Sequence, residues 1–479
     1  MPKQQGYLMF GCRYWLTSTL SMNSPGSFNF PETLLKDIQQ VCSINGDELI
    51  QAHNIDQPVS IRINPFKPIT DFNSMEPVAW CEKSFYLPQR IPFIKDPLFH
   101  AGCYYVQEAS SMFLETALKQ SVDLSKDLIV LDLCAAPGGK STLINSLLTD
   151  NSILISNEVI KTRIGPLAEN MSKWGRNNCL VTNNDPKDFT PLETYFDVIV
   201  VDAPCSGSGL FRKQEDAIEH WSEENVLHCS QRQQRILEDI IPCLKPGGVL
   251  IYSTCSYSSS ENEQIGDFIL STGNFTAIKL ERPDSGIVET ISEKGSYGYR
   301  FFPHLVKGEG FFIAAFQKSH EEPEVSHYTK KKLVTKPAKE ELNLIAPFLS
   351  ESVLNMVIKQ KENFFLVNET IASELNLLLE HLNIRKKGTL IGELKGKDFI
   401  PNHELALSVH LNASVSELDV DEENALVFLK KSDIKARPET PRGFCIVRYK
   451  DKALGWIKNI GNRTNNYLPK EWRILTDVS

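Results

Sequence analysis

No two of the 11 cysteines in this 479-residue chain are separated by only two residues. Structural zinc sites show such closely spaced ligands, so no metal is expected. No apolar run approaches the ~20 residues that span a bilayer, which leaves no expected membrane contact. The first residues lack the basic start, long apolar core and small-residue cleavage site of a secretion signal. With an odd number of scattered cysteines, this leads to the expectation of a cytoplasmic protein with free thiols. No G-x-G-x-x-G follows a strand, which argues against a nicotinamide site, and the spacing of a phosphate-binding P-loop is missing too. Internal repeats are absent. The net charge of −9 by itself gives no hint of nucleic-acid binding, but residues 431–479 hold eleven Lys/Arg against five Asp/Glu, a net of +6. A basic end on an acidic chain suits a polyanion contact.

At ~100–200 residues per domain, the length suggests two to four domains. Residues 1–27 are expected to be an N-terminal extension, with translation starting at Met22. Residues 31–43 carry helical periodicity with Pro31 in the first turn, and Val59 to Ile63 alternates as a strand stopped by Pro65. Residues 28–103 therefore read as a small α+β domain. From 104 to 318, helices alternate with apolar strands. Helices are expected over Tyr105–Leu118, Ser141–Leu148 and Gln231–Leu244, the last ended by Lys245-Pro-Gly-Gly248. Strands are expected at 128–133, 152–156, 196–202, 249–253 and 311–316. Strands apolar on both faces and separated by helices imply an α/β fold with a covered parallel sheet, doubly wound and Rossmann-like. Residues 319–385 read as a linker followed by a mixed region, and 386–479 as a compact β-rich domain.

Leu131-Asp-Leu-Cys-Ala-Ala-Pro-Gly-Gly-Lys140 follows a strand and opens a helix, a turn whose small residues let backbone N–H groups approach a ligand. Glu158 ends the second strand, where a carboxylate can accept from ribose hydroxyls. Asp185 stands where a third strand should end, a suitable place for an adenine contact, and Asp202 ends the next. Each acid alone reads equally well as a helix cap or a solvated loop residue, but the set is harder to explain that way.

Asp202-Ala-Pro-Cys205 and Ser253-Thr-Cys255 each set a cysteine just past a buried strand. A thiolate adding to cytosine C6 makes C5 nucleophilic toward a sulfonium methyl donor. Such a scheme needs an activated cysteine, a carboxyl for the base edge and help in elimination. The bland alternative is that both cysteines are ordinary buried small residues. The residues alone do not choose which sulfur attacks.

Asp132 to Lys140, Asp202 to Cys205 and Ser253 to Cys255 resemble the motifs of the Nol1/Nop2/Sun family of RNA cytosine-C5 methyltransferases. Further matches are Arg62-Ile-Asn-Pro-Phe-Lys67, Tyr105 to Ser111, Arg212-Lys213 with Trp221, and Glu261-Asn-Glu263. The resemblance spans roughly residues 28–318 and is strongest to the bacterial ribosomal RNA members. It implies S-adenosylmethionine as methyl donor, held by Cys134, Ala135, Ala136, Pro137, Gly138, Gly139, Lys140, Glu158, Asp185 and Asp202. It implies Cys255 as nucleophile, Cys205 as the aid to product release, Asp202 as a base contact and Lys213 near the reacting groups. Cys134, Gly139 and Ser256 stand where some members have Ala, Ser and Thr. Gly443 to Arg448, Gly455 to Lys458 and Asn466 to Lys470 are similar to a PUA-like C-terminal RNA-binding domain, with Trp456 expected in its core. The implied partner is 16S-type ribosomal RNA or the small ribosomal subunit, bound by a monomer. Two readings stay open beside it: the same chemistry on transfer RNA, and a non-catalytic RNA-binding assembly factor.

Overall fold

A computed structural model describes residues 30–475 apart from 214–215, 321–324, 436–437 and 439. The expected start at Met22 and the 1–27 extension lie outside the described residues. The centre is a mixed sheet of ten strands. Its parallel part runs, from one side to the other, Leu244–Thr254, Phe196–Asp202, Ile129–Asp132, Ile153–Asn157 and Cys179–Thr182. Antiparallel strands extend it on both sides: Phe311–Lys318 beside 244–254, and Ile384–Lys387 beside 179–182.

Alternate residues of these strands feed two cores. Val130, Val198, Val200 and Ile251 face one layer, while Leu131, Ile199, Val201 and Leu250 face the other. A strand buried on both faces must be apolar throughout, which is the pattern the sequence carries. The order of the parallel strands reverses on either side of Ile129–Asp132, so the loops leaving 129–132 and 196–202 diverge. Open α/β sheets bind ligands in the crevice that forms there.

Five expectations need correction. Tyr105 to Leu118 is not one helix: Tyr104–Val106 is a strand, Ser110–Phe113 a 3-10 turn, and only Leu114–Ser121 is α-helical. The aromatic and β-branched triplet pairs with Val59–Ile63 instead, completing the four-stranded N-terminal sheet. The long helix runs Glu223–Ile240, capped by the Ser222 side chain, and starts and stops earlier than expected. Lys245-Pro-Gly-Gly248 does not separate helix from strand but lies within the strand Leu244–Thr254, as a bulge where the register with 196–202 shifts. The limits expected at 103/104 and 385/386 also cut through paired strands. Tyr104–Val106 belongs to the N-terminal sheet, and Ile384–Lys387 is an edge strand of the central one.

Two smaller sheets follow, one of residues 357–401 and one of residues 417–466. The last packs on the N-terminal sheet through a shared core of Ile61, Ile63, Tyr104, Phe428, Val447 and Ile457. Trp456 is buried in a separate core and donates from Nε1 to the Asn402 carbonyl, so it is a packing residue as expected. The family-like Arg62 to Lys67 segment pins the N-terminal sheet to the central domain. Arg62 donates to Gly139 O and Thr142 Oγ1, Asn64 to Trp174 O, and Lys67 to Lys173 O. No helix among the described residues is long and apolar enough to cross a membrane.

A buried ion pair braces the loop that follows the strand Leu244–Thr254. Arg300 donates to Glu263 Oε1 at 2.7 Å and Oε2 at 2.5 Å, and its third nitrogen donates to the Tyr257 carbonyl at 2.7 Å. Burial alone would raise the Glu263 pKa, but the Arg300 charge wins and lowers it from the ordinary 4.5. A depressed native pKa stabilises the fold at pH values above 4.5, and that contribution is lost as pH falls through the lower native value. Glu263→Ala strands a buried guanidinium and is expected to cost about 3–5 kcal/mol. Urea unfolding at neutral pH should show a clearly lowered midpoint. An unchanged midpoint would mean the pair contributes no stability.

Candidate active site

Five loops at the carboxyl ends of the parallel strands build the site. Residues 133–138 connect Ile129–Asp132 to the helix Gly139–Leu147. Gly138 adopts φ +116°, a region open to glycine and strained for other residues. The loop's carbonyls are held from the next helix: Arg163 donates to Ala136 O at 2.6 Å and Asn170 to Pro137 O at 2.9 Å. Ala135 N–H donates to Asn157 O, and Asn157 Nδ2 donates to both Leu133 O and Asn184 O. Asn157 thereby stitches three strand ends together. Arg163, Asn170 and Asn157 were not singled out from sequence, because their roles depend on carbonyls presented by a distant loop.

Asp132 lies beneath this loop. It accepts from Ser141 Oγ at 2.6 Å, and burial pushes its pKa up to about 7. The Cys134 thiol is likewise raised by burial. Glu158 is buried; its Oε1 accepts from Ile160 N–H at 2.8 Å. Its Oε2 accepts no hydrogen bond, although the Arg163 guanidinium lies 3.2 Å away. Distance alone would count an ion pair, but the alignment of a hydrogen bond is missing, so this oxygen keeps its acceptor capacity. Asp185 lies just beyond Cys179–Thr182 and caps the turn Pro186–Phe189, accepting from Lys187 N–H. Capping is therefore one role of Asp185.

Asp202 is at the centre. Lys140 Nζ sits 2.8 Å from its Oδ2, and Ser253 Oγ donates to its Oδ1 at 2.8 Å. Burial works against the Lys140 charge, but Asp202 more than offsets this and raises the lysine pKa. The same ammonium lies 5.2 Å from the centre of the Phe311 ring. Lys140 thus joins the first turn of the helix Gly139–Leu147 to the end of the strand Phe196–Asp202.

The two sequence-selected cysteines meet. Cys205 Sγ and Cys255 Sγ are 3.2 Å apart, on loops leaving the neighbouring strands 196–202 and 244–254. The contact with Cys255, followed by burial, pushes the Cys205 thiol well up. Close approach of backbones makes this possible. Gly209 N–H donates to Cys255 O at 2.8 Å, and Gly310 N–H donates to Gly209 O. A Cβ on Gly209 would lie 2.5 Å from Gly310 O and 2.9 Å from Cys255 O, so only glycine fits. Lys213 lies in the turn after Ser208–Leu210, where burial lowers its pKa and the charges of Glu108, Glu309 and Cys255 act in the other direction. Its neighbour Arg212 is a structural residue, buried in a pair with Glu309 at 2.8 Å and bonded to Gly308 O. Among the described residues, no cluster of three or more His, Cys, Asp or Glu could hold a metal ion.

Comparison with known proteins gives this geometry a context. Residues 119–317 match the family described as 16S rRNA methyltransferase RsmB/F, residues 30–109 the N-terminal domain of 16S rRNA methyltransferase RsmF, and residues 415–474 the methyltransferase RsmF PUA domain. Ribosomal RNA small subunit methyltransferase F of Aeromonas salmonicida is 33% identical over 433 residues, covering 86% of this chain and 90% of that protein. The chain belongs to the ribosomal RNA small subunit methyltransferase F family. The Vibrio vulnificus protein of the same name is 31% identical and covers 92% of this chain and 97% of its own length. A solved methyltransferase homologue from Pyrococcus horikoshii is 27% identical, with a TM-score of 0.51 over 61% of this chain and 96% of that one.

The methyl donor of this methyltransferase F family member is S-adenosylmethionine. The residues present fit it: a glycine turn opens a helix, and Glu158 keeps a buried oxygen without a hydrogen-bond donor at the end of the second strand. S-adenosylmethionine supplies a methyl group on an electrophilic sulfonium sulfur.

Proposed function

We propose that this chain methylates carbon 5 of a cytosine in RNA of the small ribosomal subunit, through a transient bond between Cys255 Sγ and C6 of the base. The observation that carries the reading is the pair of sulfurs 3.2 Å apart, on the loops that follow Asp202 and Thr254 at the carboxyl ends of adjacent strands. A single cysteine in that position reads as packing. Two cysteines that both reach the crevice serve a reaction with two sulfur-dependent steps.

In this reading Cys134 to Lys140, Glu158, Asp185 and Asp202 hold the methyl donor. Asp202 also meets the edge of the base, with its carboxylate oriented by Lys140 and Ser253. The Cys255 thiolate adds to C6, and the electron pair of the C5–C6 double bond makes C5 nucleophilic. C5 takes up the methyl group as the methyl–sulfur bond of the donor breaks, its electron pair staying on that sulfur, and the C5 proton then passes to the Cys205 sulfur acting as base. The electrons of that C–H bond re-form the double bond, and the C6–S pair returns to Cys255. Cys205 assists this release. Lys213, which feels the charge of Cys255, contributes positive charge toward the adduct. The target base must be unstacked or already unpaired for a thiol to reach C6. The matches to the RsmF N-terminal and PUA domains, and the basic C-terminal segment, support RNA contact on both flanks.

Bisulfite sequencing of ribosomal and transfer RNA from a strain lacking the gene, with and without the gene restored, tests the proposal. One cytosine of small-subunit RNA should become convertible in the deletion and protected again on restoration. Loss confined to a transfer RNA would move the substrate. No change in either RNA would overturn cytosine-C5 chemistry.

A further inference from the structure

Glu261 ends the 3-10 turn Ser259–Glu261, beyond the Cys255 loop, and is fully buried. Its side chain has no hydrogen bond to either sulfur. Oε1 accepts from the Ser206 N–H at 2.8 Å and from Gln233 Nε2 at 3.2 Å. Oε2 accepts from the Ser206 hydroxyl at 2.6 Å and the Ser256 hydroxyl at 2.5 Å. Ser206 and Ser256 are the residues that directly follow Cys205 and Cys255. One carboxylate thus ties together two loops that leave different strands, at the position next to each sulfur. The loops run side by side: the two serine hydroxyls are 3.2 Å apart, as the two sulfurs are.

The surroundings reinforce the clamp. Gln233, on the helix Glu223–Ile240, also donates to Pro204 O, which precedes Cys205. Asn262 donates to Ser256 O and accepts from Thr254 Oγ1, bracketing Cys255 on both sides. Burial raises the Glu261 pKa, so a carboxylate here is costly to keep charged, and four donors converge on it to offset that cost. The clamp spans both loops, while Cys205 and Cys255 themselves stay only partly buried.

We infer that Glu261 is the positioning residue of the dithiol, setting the separation and mutual orientation of Cys205 and Cys255. The catalytic consequence rests on the function proposed above, whereas the spacing of the sulfurs does not.

The test compares full-length wild type with Glu261→Gln and Glu261→Ala. One readout is the rate at which diamide closes a Cys205–Cys255 disulfide, located by peptide mapping. Two thiols give up two protons and two electrons, and the azo bond becomes a hydrazine. The other readout is kcat and KM on small-subunit RNA, with donor affinity measured by calorimetry. Glu261→Ala should slow both disulfide closure and kcat by about 100-fold, the scale of a ~1 Å misplacement, with KM and donor affinity unchanged. Glu261→Gln has the same shape and keeps an acceptor for the Ser206 N–H, so it should recover part of both rates. Wild-type closure rates and kcat in both variants would overturn the inference, as would a rise in KM at constant kcat. Glu261-dependent closure in a wild-type protein that forms no 5-methylcytosine would sink the proposed function and leave the positioning role standing.

Discussion

Cys255→Ala is expected to lower methylation of small-subunit RNA by roughly 10⁴-fold or more, while S-adenosylmethionine binds with near wild-type affinity. The magnitude follows from the role: a nucleophile that forms the covalent intermediate has no substitute, and deleting one leaves only binding and orientation. Donor affinity should survive because the residues assigned to the donor lie on other loops. The 133–138 turn is held by Arg163, Asn170 and Asn157, and Glu158 is anchored by the Ile160 N–H. None of these contacts passes through Cys255. The measurements are tritium transfer from labelled donor for activity and calorimetry for affinity. Cys255→Ser is the sharper variant. It keeps a small polar side chain at the same place, but a hydroxyl is far less acidic than a thiol and poorer at adding to a pyrimidine. A serine variant with undiminished turnover would rule out sulfur chemistry at this position altogether.

The strand ends were legible in the sequence, because strands buried on both faces must be apolar and their loops must be polar or small. That rule located Cys134 to Lys140, Glu158, Asp202, Cys205 and Cys255 without reference to coordinates. Elements whose periodicity is ambiguous were less legible. Tyr105, Met112, Phe113, Leu114, Ala117 and Leu118 are spaced closely enough to mimic a helical stripe, and only pairing with Val59–Ile63 makes Tyr104–Val106 a strand. Lys245-Pro-Gly-Gly248 carries every sign of a turn, yet Gly247 at φ +73° lets the chain bulge within a strand. The edge strand Ile384–Lys387 is separated from its partner Cys179–Thr182 by about two hundred residues, and its own sequence is too short and too charged to announce a place in a core sheet. The same limit explains Glu261. It was legible only as part of the family-like match Glu261-Asn-Glu263, with no role attached, and what it does appears only when two loops fifty residues apart converge on it. Single residues of chemical character were visible, whereas the groups that hold them were not.

Cys205→Ala should let the first half of the reaction proceed and block the second. The Cys255 thiolate adds to C6 and C5 is methylated, but release is slowed by about 10²–10⁴-fold, the usual contribution of a positioned proton-transfer group. The RNA then stays attached, and the protein migrates on a denaturing gel as a slower band that ribonuclease collapses to a small residual shift. The wild type should show little of this band, and the Cys205→Ala/Cys255→Ala double variant none. The geometry supports this division of labour. The thiol of Cys205 has its pKa raised by contact with Cys255 and by burial, so it keeps its proton when the neighbouring sulfur gives one up. Two thiols 3.2 Å apart cannot both ionise without mutual repulsion, so Cys205 stays a thiol while Cys255 attacks; once Cys255 is bonded to carbon that repulsion is gone, and Cys205 can ionise and take the C5 proton. An adduct that accumulates in Cys255→Ala and is absent in Cys205→Ala would exchange the two roles, making the sulfur after Pro204 the nucleophile and the one after Thr254 the aid to release.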